Sequence, residues 1–206
     1  MADLQKPYAS RGGLKLAAAL DQFKVDVAGF TCADLGSNVG GFTDCLLKCG
    51  AAMVFAVDTG YGNLDWKLRR DERVVILERT NALHFDPASL NRFSGCDLVT
   101  IDLGWTRQRH AIGAGLQWLA RNPQARIITL IKPHYEAERS LLERGVLPDA
   151  VARQVFEKVL KSMDQLGVVV EDHMLSPVRG GAGKGRAGNI EYLALLKPVC
   201  DWSGGG

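Results

Sequence analysis

The sequence contains no long apolar run and no strong excess of charge of either sign. Its 25 Lys and Arg residues nearly balance 23 Asp and Glu residues, so the formal net charge is only +2. Such a weak basic balance is compatible with nucleic-acid binding but does not argue for it. No apolar stretch approaches the length of a membrane span, and the first ten residues do not resemble a signal peptide. These absences predict a soluble, cytoplasmic protein without a membrane partner.

Cysteine is also scarce, with five residues in a chain of 206. An odd number of cysteines without a paired spacing favours reduced thiols over a disulfide framework. Cys45 and Cys49 are four residues apart and can share one face of a helix, but no histidine or cysteine pair near them completes a zinc site. We therefore predict no bound metal.

Apolar, β-branched segments alternate with segments of helical periodicity along most of the chain, and 47% of the residues are hydrophobic. Seven β-branched or apolar segments are typical of strands: 30–35, 52–58, 73–78, 97–103, 126–131, 167–175 and 190–196. Five segments have helical periodicity: 12–23, 42–49, 64–70, 107–119 and 149–166. This alternation predicts βαβ units and a doubly wound α/β sheet of seven mostly parallel strands. We expect one domain over residues 8–200, with flexible ends at 1–7 and 201–206.

Two stretches interrupt this alternation of strands and helices, and both carry positively charged residues. Residues 103–110 include Trp105, Arg107 and Arg109, and residues 176–189 contain five glycines together with Arg179, Lys184 and Arg186. A glycine-rich loop with interspersed cations can close over a polyanion. It can equally be a solvated, mobile hairpin, and composition does not separate the two interpretations.

Residues 30–42 have the pattern of a strand, a glycine loop and a helix start, which is typical of nucleotide-binding folds. Gly36 allows a sharp turn, and Gly40 and Gly41 allow backbone to approach a ligand. The spacing is neither the dinucleotide-binding motif nor a P-loop. Asp34 precedes the first glycine, where a negative charge would repel a pyrophosphate but suits the ammonium end of a sulfonium cofactor, directly or through water.

Two more polar residues follow the next predicted strands. Asp58 ends the second strand, where it can accept hydrogen bonds from ribose hydroxyls, and Asn81 follows the third, where an amide can meet an adenine edge. The alternative is that Asp34 and Asp58 only cap the following helices. Because both acids lie at the ligand-binding edge of an α/β sheet, the pair favours a nucleoside site.

Several longer motifs then occur in order along the chain: YASRGGLKL at 8–16, GGFTDCLL at 40–47, AVD and GYG within 56–62, ERTNA at 78–82, DLVTID at 97–102, IKP at 131–133 and GNIEY at 188–192. Together they resemble the methyltransferase domain of the TlyA/hemolysin A family, which belongs with the FtsJ-like RNA ribose methyltransferases. The resemblance covers about residues 8–197. It implies a Rossmann-like S-adenosylmethionine-dependent methyltransferase fold.

The resemblance also implies a catalytic tetrad, which falls on Lys15, Asp102, Lys132 and Glu191. A lysine near a second lysine and a sulfonium has its cationic form disfavoured, so it can act as a base or orienter toward a ribose hydroxyl. The alternative for any single one of these residues is an ordinary surface ion pair. The expected S-adenosylmethionine contacts are Asp34, Gly36, Ser37, Gly40, Gly41, Phe42, Asp58, Asn81 and Asp102.

The implied substrate is the 2′-hydroxyl of an RNA, with ribosomal RNA in a subunit or assembly intermediate as the expected partner. The expected RNA-binding residues are Arg11, Trp105, Arg107, Tyr135, Lys184 and Arg186. The chain departs from the family at Leu103–Trp105, usually Val-Ser-Phe, and at His134–Glu136, usually Gln-Phe-Glu. It also starts near the domain boundary, so we expect it to lack the family's usual RNA-binding head domain.

These departures leave other functions open. One is a methyltransferase of the same fold that acts on tRNA or a small molecule. Another is a catalytically idle nucleic-acid-binding module, against which the intact tetrad argues. The hemolysin label of the family implies membrane lysis, yet the sequence contains no amphipathic or transmembrane segment that would support it.

Overall fold

The computed structural model describes residues 7–181 and 188–199, and these form an α/β sandwich around one sheet. Its strands are β1 (Thr31–Leu35), β2 (Met53–Val57), β3 (Val74–Leu77), β4 (Leu98–Ile101), β5 (Arg126–Ile131), β6 (Val168–Leu175) and β7 (Tyr192–Pro198). Its helices are α1 (Gly12–Phe23), α2 (Gly41–Lys48), α3 (Trp66–Arg69), α4 (Gln108–Trp118), α5 (Pro133–Glu136) and α6 (Asp149–Lys161). Short 3₁₀ turns lie at Pro87–Ser89, Arg139–Leu141 and Asp164–Leu166.

The strand order is β3-β2-β1-β4-β5-β7-β6. The first five strands pair in parallel, whereas β7 runs antiparallel to both β5 and β6. The seven-stranded, mostly parallel sheet predicted from the sequence is therefore confirmed. The chain order reverses between β1 and β4, and such a switch point opens a crevice at the carboxyl ends of the strands.

Helices cover both faces of the sheet because its strands are apolar on both sides. One face packs against α1, α2 and α3 through residues such as Leu16, Leu46 and Leu68. The other packs against α4 and α6, where the fully buried Trp118 contacts an aromatic cluster of Phe55, Phe85 and Phe93. No helix in the described part of the chain is long and apolar enough to cross a membrane.

The predicted boundaries shift at two places that matter for the site. The helix expected over 149–166 ends at Lys161, and a 3₁₀ turn leads to Gly167, which has a left-handed φ of 79°. The last predicted strand begins at Tyr192, so Glu191 immediately precedes it instead of starting it. The remaining strands differ from prediction by only one or two residues at most ends, and β5 and α1 match it.

Candidate active site

A cavity of about 860 Å³ opens at the carboxyl edge of the sheet, at the switch point between β1 and β4. This volume lies within the usual range for small-molecule sites. Its wall includes residues that follow β1, β2, β4 and β5, together with the start of α1. From the predicted site the wall contains Arg11, Lys15, Gly36, Ser37, Gly41, Phe42, Asp58, Asn81, Asp102, Trp105, Lys132, Tyr135 and Glu191.

The glycine loop closes this cavity through close backbone packing. Gly36 has a φ of 94°, and a Cβ at this position would lie 2.5 Å from the carbonyl oxygen of Asp102. Glycine is therefore required where the ends of β1 and β4 meet. The predicted sharp turn at Gly36 is present, and its effect is to bring the β4 loop against the cavity.

The other two loop glycines allow close packing of neighbouring segments, and their expected approach to a ligand stays a prediction. A Cβ on Gly40 would lie 2.3 Å from a methyl group of Leu68 in α3, and Gly40 is not part of the cavity wall. A Cβ on Gly41 would lie 2.2 Å from the Ser10 hydroxyl, although Gly41 does line the cavity. These contacts hold α3 and the segment before α1 close to the loop.

Asp34 does not line the cavity, and its predicted interaction with the ammonium end of a cofactor, directly or through water, stays a prediction. Its carboxyl group is fully buried. Oδ2 accepts hydrogen bonds from the backbone N–H and the hydroxyl of Thr43, at 2.9 and 2.7 Å, and Oδ1 lies 3.2 Å from the Thr100 hydroxyl. Asp34 thus ties the start of α2 to β1 and β4, which is closer to the capping alternative.

Burial raises the pKa of Asp34 to about 7, against the lowering effect of its Thr43 hydrogen bond. The neutral acid is compatible with the local hydrogen bonds. A proton on Oδ1 can be donated to the Thr100 hydroxyl, which in turn can donate to the carbonyl oxygen of Ala33 at 3.3 Å. A protonated Asp34 therefore leaves none of these groups unpaired.

This raised pKa predicts a specific dependence of stability on pH. The folded chain retains a proton on Asp34 between about pH 4 and 7, where the unfolded chain has released it, so this contribution to stability falls as pH rises through that window. Asp34→Asn mimics the neutral acid and should remove this contribution. The plot of unfolding free energy against pH should then flatten by a few kcal/mol, on the order expected for a pKa shift of this size. Urea unfolding at intervals from pH 4.5 to 8 measures it.

The exposed Asp26 provides the control, because it also accepts a backbone hydrogen bond but is not buried as Asp34 is. Asp26→Asn should leave the shape of the wild-type profile unchanged. If the free energy of unfolding changed with pH in the same way for the wild type and Asp34→Asn, that result would contradict a raised pKa at Asp34.

One end of the cavity has the chemistry of a nucleoside site. The Asp58 carboxylate accepts backbone hydrogen bonds from Asn38 at 2.9 Å and from Gly60 at 2.6 Å. A carboxylate has about four acceptor positions, so two remain for hydroxyl groups. Asn81 also lines this end, and its side-chain oxygen accepts a hydrogen bond from the backbone N–H of Leu83.

The other end of the cavity holds two lysine–carboxylate pairs, of which the first is buried and the second is partly buried. Lys15 Nζ lies 2.5 Å from Glu191 Oε2, and Lys132 Nζ lies 2.5 Å from Asp102 Oδ1. Lys132 also donates to the carbonyl oxygen of Leu103 at 3.2 Å. The structure therefore brings together all four residues of the predicted tetrad, in two charge-balanced pairs.

The glycine-rich segment before β7 packs against the Glu191 carboxylate. A Cβ on Gly180 would lie 1.8 Å from Glu191 Oε1, so a larger residue there would displace this carboxylate. Gly180 forms a reciprocal backbone bridge with Asn189, whose side chain accepts from the Leu147 N–H and donates to the Gly145 carbonyl. Neither contact was predicted, because each joins residues whose proximity depends on tertiary structure.

His134 is a further cavity residue that sequence patterns identified only as a departure from the family. Burial lowers its pKa to about 4, and the nearby charges of Lys132 and Lys15 add to that effect. Its Nδ1 is buried and has no hydrogen-bond partner among the described residues. The imidazole is consequently neutral at physiological pH and places a polar ring beside both lysines.

The residues predicted to contact RNA are only partly brought together. Trp105 is 86% exposed and stacks on Tyr135, with ring centroids 5.1 Å apart, and Arg11 lines the cavity. Arg107 is exposed at the N-cap of α4 and does not line the cavity, and its predicted contact with RNA stays a prediction. Lys184 and Arg186 lie outside the described residues.

Solved structures share this architecture. A candidate hemolysin from Streptococcus thermophilus superposes with a TM-score of 0.86 at 33% identity, over 96% of this chain and 69% of that one. An S-adenosylmethionine-dependent methyltransferase from Mesorhizobium loti matches with a TM-score of 0.60 at 16% identity, over 87% of this chain and 96% of that one. The second similarity concerns the fold alone.

The sheet order, the cavity at its switch point and these neighbours define a Rossmann-like α/β fold. A model of the FtsJ-like methyltransferase family matches residues 8–196. The chain therefore belongs to the FtsJ-like methyltransferase family, and the fold and family predicted from the sequence are both confirmed.

Named relatives agree with this assignment. The 16S/23S rRNA (cytidine-2′-O)-methyltransferase TlyA of Mycobacterium tuberculosis is 37% identical over 97% of this chain and 72% of its own length. Hemolysin A of Brachyspira hyodysenteriae is 35% identical over 91% of this chain and 75% of its own length.

Proposed function

We propose that this methyltransferase transfers a methyl group from S-adenosylmethionine to a ribose 2′-hydroxyl of ribosomal RNA. The observation that carries the proposal is the pairing of Lys15 with Glu191 and of Lys132 with Asp102 at one end of a cavity whose other end suits a nucleoside. The name of the Mycobacterium tuberculosis relative supports ribosomal RNA as the substrate.

The residues present fit S-adenosylmethionine, which would supply an electrophilic methyl group on a sulfonium. Asp58 has acceptor positions for a ribose diol, and Asn81 provides an amide for an adenine edge. Ser37, Gly41 and Phe42 line the intervening wall. The half-buried Asp102 can balance positive charge from the cofactor as well as that of Lys132.

The chain's own residues then act on the acceptor. Each lysine is held by a carboxylate, so its Nζ has a fixed direction and its remaining N–H groups can orient a hydroxyl oxygen. The neutral His134 imidazole in the same cavity is able to accept a hydrogen bond. Placing the attacking oxygen correctly accounts for much of the rate gain expected in such a site.

The aromatic rim favours an RNA acceptor. Trp105 and Tyr135 stack at the mouth beside Lys132, whose Nζ lies 5.4 Å from the Tyr135 ring centroid. Unpaired bases stack on such side chains when RNA is recognised.

We include the whole of residues 8–200 in this methyltransferase domain. We also propose that it acts in the cytoplasm, where ribosomal subunits assemble.

The test uses the chemistry of the product, because a 2′-O-methyl group prevents alkaline cleavage at the adjacent phosphate. Ribosomal RNA from cells with and without the gene is hydrolysed with alkali and mapped at nucleotide resolution. We expect at least one resistant position that disappears in the deletion strain. Restoring the wild-type gene should restore it, whereas a Lys132→Ala copy should not.

The same materials separate the alternatives. Purified protein is incubated with tritiated S-adenosylmethionine and, in turn, ribosomal subunits, total tRNA and a metabolite extract. Identical ribosomal maps together with transfer to tRNA or to a metabolite would establish the second function. RNA binding without transfer to any acceptor would indicate an idle binding module.

A further inference from the structure

The start of α4 carries a group of exposed basic side chains that the proposed reaction does not use. Arg107 is the N-cap residue, and Arg109 and His110 follow in the first turn, all three exposed. We call these three residues the α4 basic cluster. The Arg109 Nε donates a hydrogen bond to His110 Nε2 at 3.1 Å, which holds the two side chains side by side.

The Glu136 carboxylate faces this cluster, and it is already engaged. Glu136 accepts a hydrogen bond from the backbone N–H of Gln108 at 2.6 Å. Burial raises the pKa of Glu136, while the charges of Arg107 and Arg109 oppose that rise, so both arginines act on the same carboxylate. The guanidinium groups of Arg107 and Arg109 outnumber the Glu136 carboxylate, so the cluster keeps a net positive charge that is exposed to solvent.

The cluster continues directly from the mouth of the cavity. Trp105 and Thr106 line the cavity and immediately precede Arg107. Glu136 follows Tyr135, on which Trp105 stacks, and its bond to Gln108 joins this loop to α4. The backbone at Trp105 has a φ of 56°, a conformation that costs energy for a bulky residue and often marks functional sites.

We propose that the α4 basic cluster binds the phosphodiester backbone of the RNA next to the nucleotide held in the cavity. This inference rests on the proposed function for the identity of the acceptor. An exposed aromatic ring followed by two arginines matches the needs of single-stranded RNA, in which bases stack and phosphates pair with guanidinium groups. Charge complementarity therefore favours RNA over an apolar protein partner at this surface.

The test compares two double variants with the same loss of charge. Arg107→Gln/Arg109→Gln removes the arginines of the cluster. Arg92→Gln/Arg121→Gln removes two exposed arginines from the loops before β4 and β5, at the opposite edge of the sheet. Both proteins are first checked for folding by circular dichroism and for S-adenosylmethionine binding by calorimetry, and both should match the wild type.

Binding of a fluorescein-labelled, single-stranded 20-nucleotide RNA is then followed by anisotropy from 50 to 200 mM KCl. Each lost phosphate contact lowers the slope of log affinity against log salt by about 0.7 for a single strand, so the cluster variant should lose about 1.4. The control should retain the wild-type slope. With ribosomal subunits as the acceptor, the cluster variant should show a raised KM with little change in kcat, because phosphate contacts position the RNA without entering the reaction.

Equal slopes for the cluster variant and the control would overturn the inference, as would a fall in kcat without a change in KM. The proposed function has a separate outcome. If the wild type transfers no methyl group to RNA, that function fails, while a smaller slope confined to the cluster variant still establishes the phosphate-binding surface.

Discussion

Replacing Lys132 by alanine is expected to lower the rate of methyl transfer at least about a hundredfold, the usual loss when a positioned proton-transfer or orienting group is removed. Lys132 lies at the acceptor end of the cavity, where it pairs with Asp102 and donates to Leu103. Its removal leaves the Asp102 carboxylate without a partner and the acceptor oxygen without one of its donors. Cofactor affinity should change little, because the predicted nucleoside contacts lie at the other end of the cavity.

Single-turnover transfer to ribosomal subunits measures the rate, and calorimetry measures cofactor affinity. Lys158→Ala is the matched control, since Lys158 is exposed on α6 and does not line the cavity. Lys15→Ala should behave like Lys132→Ala, because it breaks the equivalent pair with Glu191. Near-normal turnover by Lys132→Ala on the authentic substrate would refute the role of the tetrad.

The second large effect is expected at Asp58. Wild-type protein should bind S-adenosylmethionine with micromolar affinity, about −8 kcal/mol. Asp58→Ala should weaken this binding about tenfold to a hundredfold, because hydrogen bonds to a charged acceptor contribute roughly 1.5–3 kcal/mol. The variant also removes the acceptor for the backbone N–H groups of Asn38 and Gly60, which loosens two loops at this end of the cavity.

Asp58→Asn separates these two contributions, because an amide retains one acceptor oxygen but lacks the charge. We expect an intermediate affinity for it. Asp26→Ala should bind as the wild type does, since Asp26 is exposed and remote from the cavity wall. Unchanged binding by Asp58→Ala, or binding of NAD in place of S-adenosylmethionine, would show that the nucleoside site has been misassigned.

Much of this arrangement was readable from the order of residues in the chain. Apolar runs such as 126–131 are long enough and β-branched enough to specify buried parallel strands, and the alternation with helices specifies a doubly wound sheet. Once the strands are known, Asp58, Asp102 and Lys132 must lie near one edge, because each follows a parallel strand. Their common location could therefore be predicted from local sequence patterns and the general topology of α/β sheets alone.

Contacts between distant segments could not be obtained in that way. Lys15 and Glu191 are 176 residues apart, and their 2.5 Å contact depends on how α1 packs over the sheet and on the antiparallel return of β7. The packing of Asp34 and Gly40 could not be predicted for a related reason. A carboxylate or glycine beside a nucleotide-binding loop has the same sequence signature whether it faces a ligand or a neighbouring helix, and only the packing of Thr43, Thr100 and Leu68 around them distinguishes the two.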